Sequence, residues 1–193
     1  MAISIDTATL DDCDAIAALI AESAHGLGQN DYTPAEIDAA LGSAWGLDTQ
    51  LVRDGTYFLV HVDGGLAACG GWSYRSTLFG ADGEGSRNAE LLDPAKDSAR
   101  IRAFFVRPEF ARQGIGTLLL EHCENEAKKA GFNSYTLGST LPGLRLYTVR
   151  GYIASDAVEY DLGDGMSMQV IPMTKVGLDE TPPPGSARTT RAV

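Results

Sequence analysis

Phe104-Phe105-Val106-Arg107-Pro108-Glu109-Phe110-Ala111-Arg112-Gln113-Gly114-Ile115-Gly116-Thr117 runs from a β-forming stretch, through a loop carrying two glycines, into an apolar helix. The first N–H groups of a helix have no intrahelical partner and lie at the positive end of its dipole, so they hydrogen-bond an anion. Gly114 and Gly116 bring no side chain that would keep a diphosphate from those amides, and Arg112 adds positive charge. The segment reads as a nest for a diphosphate. A tight turn alone would use the same two glycines, so the reading rests on what surrounds them. No Gly-Lys-Ser or Gly-Lys-Thr follows, which excludes a Walker A loop, and the third Gly of a dinucleotide fingerprint is absent.

Working outward, Arg100 to Val106 is expected to be a strand, stopped by Pro108. Ile115 to Ala130 is expected to be a helix. Ile115, Leu118, Leu119, Cys123, Ala127 and Ala130 share one face, Lys128 and Lys129 suit its negative C-terminal end, and Gly131 stops it. Upstream, Thr56 to Val62, the turn Asp63-Gly64-Gly65 and Leu66 to Tyr74 make a β-hairpin. Residues 2 to 7 read as a first strand. Thr9 and Asp12 form a capping box for a helix that carries Leu10, Cys13, Ile16, Leu19 and Ile20 and stops between His25 and Asp31. Thr33-Pro34-Ala35-Glu36 opens a second helix.

Residues 79 to 98, rich in Gly, Asp, Glu and Ser, read as a long mobile loop that Leu91 and Leu92 tether. Downstream come a strand at Tyr135 to Leu137, a helix at Pro142 to Arg150 ended by Gly151, and a strand at Tyr152 to Tyr160. Asp164-Gly165 then turns into a last strand, Met166 to Thr174. The order predicts an α/β fold with a mixed sheet of about seven strands flanked by about four helices. Residues 1–175 make one domain. Residues 176–193, with Thr181-Pro182-Pro183-Pro184-Gly185 and few large apolar side chains, make a flexible tail.

Strand, Val106-x-Pro108, Arg112-Gln113-Gly114-Ile115-Gly116 and an apolar helix together resemble the acyl-CoA-binding motif of the GNAT superfamily. Leu146-Tyr147-Thr148-Val149-Arg150-Gly151-Tyr152 resembles that family's later pattern, in which an aromatic and a Tyr end a helix and Gly-aromatic begins a strand. The resemblance covers residues 2 to 174 and implies a splayed central sheet and an N-acyltransferase. It implies that Ala111, Arg112, Gln113, Gly114, Ile115, Gly116 and Thr117 hold the pyrophosphate of acetyl-CoA. The backbone of Phe104, Phe105 and Val106 would pair with the pantetheine arm. A neutral small-molecule amine would attack the thioester, a backbone N–H near Phe105 or Val106 would stabilise the oxyanion, and Tyr147 would protonate the departing thiolate. The family's dimers imply a homodimer.

The sequence departs from the family pattern in two places. Ala111 stands where the loop usually has Arg or Gln, a loss of about 1 to 2 kcal/mol in cofactor binding that Arg112 offsets. Ile101 and Arg102 stand where many relatives have an acidic residue, so a water relay or a carboxylate among Glu90, Asp93 and Asp97 would act as base. Those departures support a second reading, an acyl-CoA sensor without turnover; a third, a transferase for protein N-termini or lysines, would need an open peptide groove, whereas the acidic loop at 79 to 98 would shield a small pocket. A purely structural module would need the glycine loop to be no more than a turn.

The formal charge of −11 argues against nucleic-acid binding and modestly favours a cationic acceptor. No apolar run approaches the roughly 18 residues a membrane span needs, and Met1 to Leu10 lacks the pattern of a signal peptide, so a cytoplasmic protein is expected. Cys13, Cys69 and Cys123 show no C-x-x-C pairing, and His25, His61 and His122 show no ligand spacing, so no metal is expected. Cys69 reads as a buried, inert thiol. His25, Tyr32 and Trp45 border the acceptor pocket in relatives, although ordinary packing explains each as well.

Overall fold

Strand alternation and tight turns build the first half of the molecule in a computed structural model, which describes residues 1–41, 43–77 and 90–177. β1 (Ile3–Thr7), β2 (Tyr57–Val62), β3 (Gly65–Ser73) and β4 (Ala99–Val106) pair antiparallel in that order. β5 (Ser134–Ser139) lies parallel to β4 and antiparallel to β8 (Met166–Val176), which also pairs with β6 (Ile153–Ala154) and β7 (Val158–Gly163). Helices cover both faces. α4 (Ile115–Lys129) buries Ile115, Leu119, Leu120, Cys123 and Ala127 against one of them. α1 (Cys13–Gly28) lays Ile16, Leu19 and Ile20 on the other, against Tyr57, Leu59 and Cys69. A third cluster joins the end of α1 to α2 (Pro34–Leu41), β7 and β8 through Ala24, Tyr32, Ile37, Met168 and Val170.

The expected caps are present. The Thr9 N–H donates to Asp12 at 2.8 Å, and the Thr33 N–H donates to Glu36 at 2.7 Å while the Glu36 N–H returns to Thr33 Oγ1 at 3.3 Å.

The mixed α/β fold is as expected, and three details differ. Among the described residues the sheet has eight strands rather than about seven, because Tyr152 to Tyr160 is two strands. The break lies beside Pro172 of β8, whose nitrogen cannot donate and whose carbonyl takes the Ser155 N–H at 2.8 Å. There are five α-helices among the described residues rather than about four. The unforeseen one, α3 (Thr49–Arg53), is too short to show a period, and Asp48 caps it by accepting from the Gln50 N–H at 2.9 Å. α1 ends at Gly28, inside the stop expected between His25 and Asp31. β8 runs to Val176, where the tail was expected to begin.

Most of the tail, residues 178–193, and residues 78–89 of the long loop lie outside the described residues. The described end of that loop is tied down: the Leu92 N–H donates to the Tyr74 carbonyl at 2.8 Å, and Leu91 pairs with Arg75. No helix among the described residues is long and apolar enough to cross a membrane.

Candidate active site

β4 and β5 touch only at their starts, where Ala99 meets Tyr135 and Arg100 meets Thr136. Beyond Arg100 the strands part, and a cavity of about 480 Å³ opens between them. One wall is β4 from Ile101 to Val106. The other is the segment from Gly138 through Thr140 to α5 (Leu144–Val149), which presents Arg145, Leu146 and Tyr147.

The glycine loop reaches the same cavity. Gly114 is the N-cap of α4 at φ 87°, a left-handed conformation that suits glycine, and it gives the helix no side-chain cap. The first helical bond runs from the Leu118 N–H to the Gly114 carbonyl at 2.9 Å. The N–H groups of Ile115, Gly116 and Thr117 therefore have no partner within the helix. Arg112, at φ 64°, is also left-handed, a strained conformation for an arginine held within a tight loop. α1 braces this loop from behind: a Cβ at Gly26 would stand 2.2 Å from Pro108 Cγ, so only glycine lets the helix lie this close.

Phe104, Phe105, Val106, Ala111, Arg112, Gly114, Gly116, Thr117 and Tyr147 all line the one cavity. Gln113 and Ile115 do not. The Gln113 side chain donates to the Glu109 carbonyl at 2.6 Å, and Ile115 is buried in the core beneath α4. Anything these two give a ligand comes from the main chain.

Tyr147 is buried, edge-on to Tyr152 and Phe104 at 5.7 and 6.5 Å between ring centres. Its hydroxyl has no hydrogen-bond partner among the described residues. Burial holds its proton more tightly than in an ordinary tyrosine. The Val106 N–H, expected among the oxyanion donors, is engaged: it donates to Ser23 Oγ of α1 at 3.2 Å, and both residues line the cavity.

The carboxylates considered as base are not brought here. Asp93 and Asp97 close a local turn, in which the Asp93 N–H donates to Asp97 at 2.8 Å and Lys96 to Asp93 at 2.7 Å. The Glu90 carbonyl takes the Ser76 N–H, and none of the three lines the cavity. The charged side chains that do, among the described residues, are Arg102, Arg112 and Arg145. Arg102 is paired with the buried carboxylate of Asp48 at 2.7 Å, so the positive charge at the lining comes from Arg112 and Arg145. Of the three aromatic candidates, Trp45 alone lines it. Tyr32 accepts from the Leu141 N–H at 2.9 Å, and His25 faces Asp38 at 3.5 Å on the surface.

The site reading missed Arg145 and Ser23. Arg145 lies immediately before the later motif, which was the available signal; Ser23, mid-helix, left none. Cys69 is buried, and burial pushes its thiol up to about 12, so it is an inert core residue as expected. Among the described residues no three His, Cys, Asp or Glu side chains group to hold a metal.

A family profile for the Acetyltransferase (GNAT) family matches residues 22–152. The chain belongs to the GNAT acetyltransferase family. Solved GNAT structures share its fold at low identity. A GCN5-related N-acetyltransferase from Rhodopseudomonas palustris is 18% identical with a TM-score of 0.67, over 91% of this chain and 98% of that one. PaiA N-acetyltransferase from Thermoplasma acidophilum, solved with coenzyme A, is 16% identical with a TM-score of 0.62, over 91% and 99%. YncA from Salmonella typhimurium, a putative acetyltransferase solved with acetyl-CoA, is 18% identical with a TM-score of 0.60, over 97% and 100%. No curated protein matches it closely enough in sequence to count as a relative. The splayed sheet expected of a GNAT protein is the parting of β4 from β5.

Proposed function

We propose that this GNAT protein transfers an acetyl or similar acyl group from coenzyme A to a small amine. The observation that carries the reading is convergence: uncapped amides at the start of α4, the parted edge of β4 and an unpartnered tyrosine hydroxyl all open into one cavity. The pyrophosphate lies on the N–H groups of Gly114 to Thr117, with Arg112 and Arg145 as counter-charges. The pantetheine arm runs along Phe104, Phe105 and Val106, and an oxygen of the ligand replaces Ser23 on the Val106 N–H.

The neutral amine forms a C–N bond at the thioester carbonyl, and the collapse of the tetrahedral intermediate breaks the C–S bond. Tyr147 gives its proton to the thiolate, and the amine releases one to water. The side of the cavity toward α2, β7 and β8, with Leu27, Trp45, Tyr160 and Val170, receives the acceptor. Those apolar and aromatic walls favour a small acceptor over a lysine-rich protein tail, and the charges of Arg112 and Arg145 at the lining disfavour a polycation. The sensor reading keeps one supporting observation: no carboxylate lines the cavity among the described residues.

Acetyl-CoA calorimetry followed by thiol release against a panel of amines tests the proposal. Binding with release establishes the transferase and names its acceptor class. Binding without release for any amine favours the sensor, and no binding sinks the role of the glycine loop.

A further inference from the structure

β4 does not keep its alternation. Ala99 and Ile101 pack on the face that α4 covers, and regular pleating would put Ala103 and Phe105 there too. Instead Ala103 and Phe105 join the opposite cluster, and Phe104 and Val106 join the first. The exchange happens at a β-bulge. Cys69 opposes Phe105 and Gly71 opposes Arg102, so Ala103 and Phe104 together face the single residue Gly70. Ala103 sits at φ 53°, where a residue with a Cβ is strained.

A bulge leaves main-chain groups without ladder partners, and a buried carbonyl needs a donor. Tyr57 supplies it from two strands away: its hydroxyl, on a fully buried ring, donates to the Ala103 carbonyl at 2.9 Å. The ring crosses β3 over Gly71, its partner in the register, where a Cβ would stand 2.8 Å from Tyr57 Cδ2. The Gly70-Gly71 pair in the middle of β3 thus clears a path for one side chain and a seat for the Phe104 ring, whose Cδ2 would lie 2.6 Å from a Cβ at Gly70.

We propose that Tyr57 is a positioning residue for acyl transfer: its bond to the Ala103 carbonyl holds the β4 bulge that aims the backbone of Phe104 to Val106 at the thioester. The inference rests on the acyltransferase reading. It separates two tasks in the cavity, because the bulge sets the reacting carbonyl whereas the loop at Gly114 holds the pyrophosphate.

The test is isotope-edited infrared spectroscopy of acetyl-CoA carrying ¹³C at the thioester carbonyl, bound to the full chain, which needs no acceptor. In the wild type the carbonyl band moves to lower wavenumber than in free acetyl-CoA. In Tyr57→Phe it returns toward the free position, while affinity by calorimetry stays within about threefold and turnover falls about tenfold. Ala103→Gly in the Tyr57→Phe background restores the shift, because glycine holds the bulge conformation without strain. A purely structural tyrosine would lower the unfolding temperature and leave the band of the bound thioester in place, and that result overturns the proposal. Should Tyr57→Phe not fold, Ala103→Val reads the same point, since a β-branched residue disfavours φ 53°; an unmoved band there also overturns it. Wild-type protein that binds no acetyl-CoA would instead overturn the acyltransferase reading, and the inference with it.

Discussion

The two walls of the cleft are made of different things. β4 and the loop into α4 offer main chain: uncapped amides at Ile115 to Thr117, a bulge at Ala103 and glycines where a side chain would intrude. The α5 wall offers side chains, the Tyr147 hydroxyl and the Arg145 guanidinium. Changes on the first wall should therefore act through shape and degrade binding, stability and turnover together. Changes on the second should remove one function and leave the scaffold intact.

Tyr147→Phe is the sharpest way to break that contrast. It removes one oxygen with no hydrogen-bond partner among the described residues, so folding loses little. If Tyr147 is the proton donor, kcat falls by about 100-fold or more with acetyl-CoA affinity unchanged. Single-turnover thiol release alongside calorimetry checks it, and wild-type turnover in the variant would remove the side-chain wall from the chemistry.

Gly26→Ala probes the other wall by adding a methyl group and removing nothing. Its Cβ would stand 2.2 Å from Pro108 Cγ, and neither the helix nor the proline ring can bend away locally. Overpacking of this kind costs about 1 to 3 kcal/mol. Urea unfolding should show that loss, and acetyl-CoA affinity should fall about tenfold as α1 pushes the loop aside. A stability loss with unaltered affinity would mean that α1 does not brace the loop.

This glycine also shows where sequence reading runs out. Local signals were legible: both capping boxes, the hairpin, the helix beginning at Ile115, and the two motifs that meet at the cavity. Gly26 read as part of a helix stop because nothing nearby in sequence reveals a contact with Pro108. The bulge at Ala103 was hidden for the same reason, since its partner Tyr57 is 46 residues away. The doubled glycine in β3 was the available clue, a sign of close backbone approach in a strand. The charge of the cavity was masked by averaging: a chain of net −11 places Arg112 and Arg145 on one cavity.

Arg145→Ala should have a smaller effect. The side chain is exposed and has no ion-pair partner among the described residues, so its removal leaves folding unaltered. Acetyl-CoA affinity should fall about three- to tenfold at low salt, and the difference should shrink as ionic strength rises, because exposed charges are screened. Calorimetry at two salt concentrations decides it, and a salt-independent loss would point to a packing role.

The smallest effect belongs to the half of the sheet away from both walls. Asp54, at the end of α3, holds Arg75 through two hydrogen bonds at 2.7 and 2.9 Å. Burial alone would raise its pKa, but the bonds from Arg75 and Gln50 outweigh it and hold the carboxylate below its ordinary value of 3.8. Near pH 3.8 and somewhat below, the unfolded chain therefore binds a proton that the folded chain does not, so stability rises with pH across that window. The contribution, on the order of 1 kcal/mol, is fully present above the ordinary value and lost as pH falls through the folded one. Urea unfolding between pH 6 and about pH 3 should show a steeper decline for the wild type than for Asp54→Asn. Acetyl-CoA affinity at neutral pH should be the same in both, because the pair touches neither wall of the cleft. A change in affinity would mean that the antiparallel half of the sheet transmits strain into β4, and would join two regions that the geometry keeps apart.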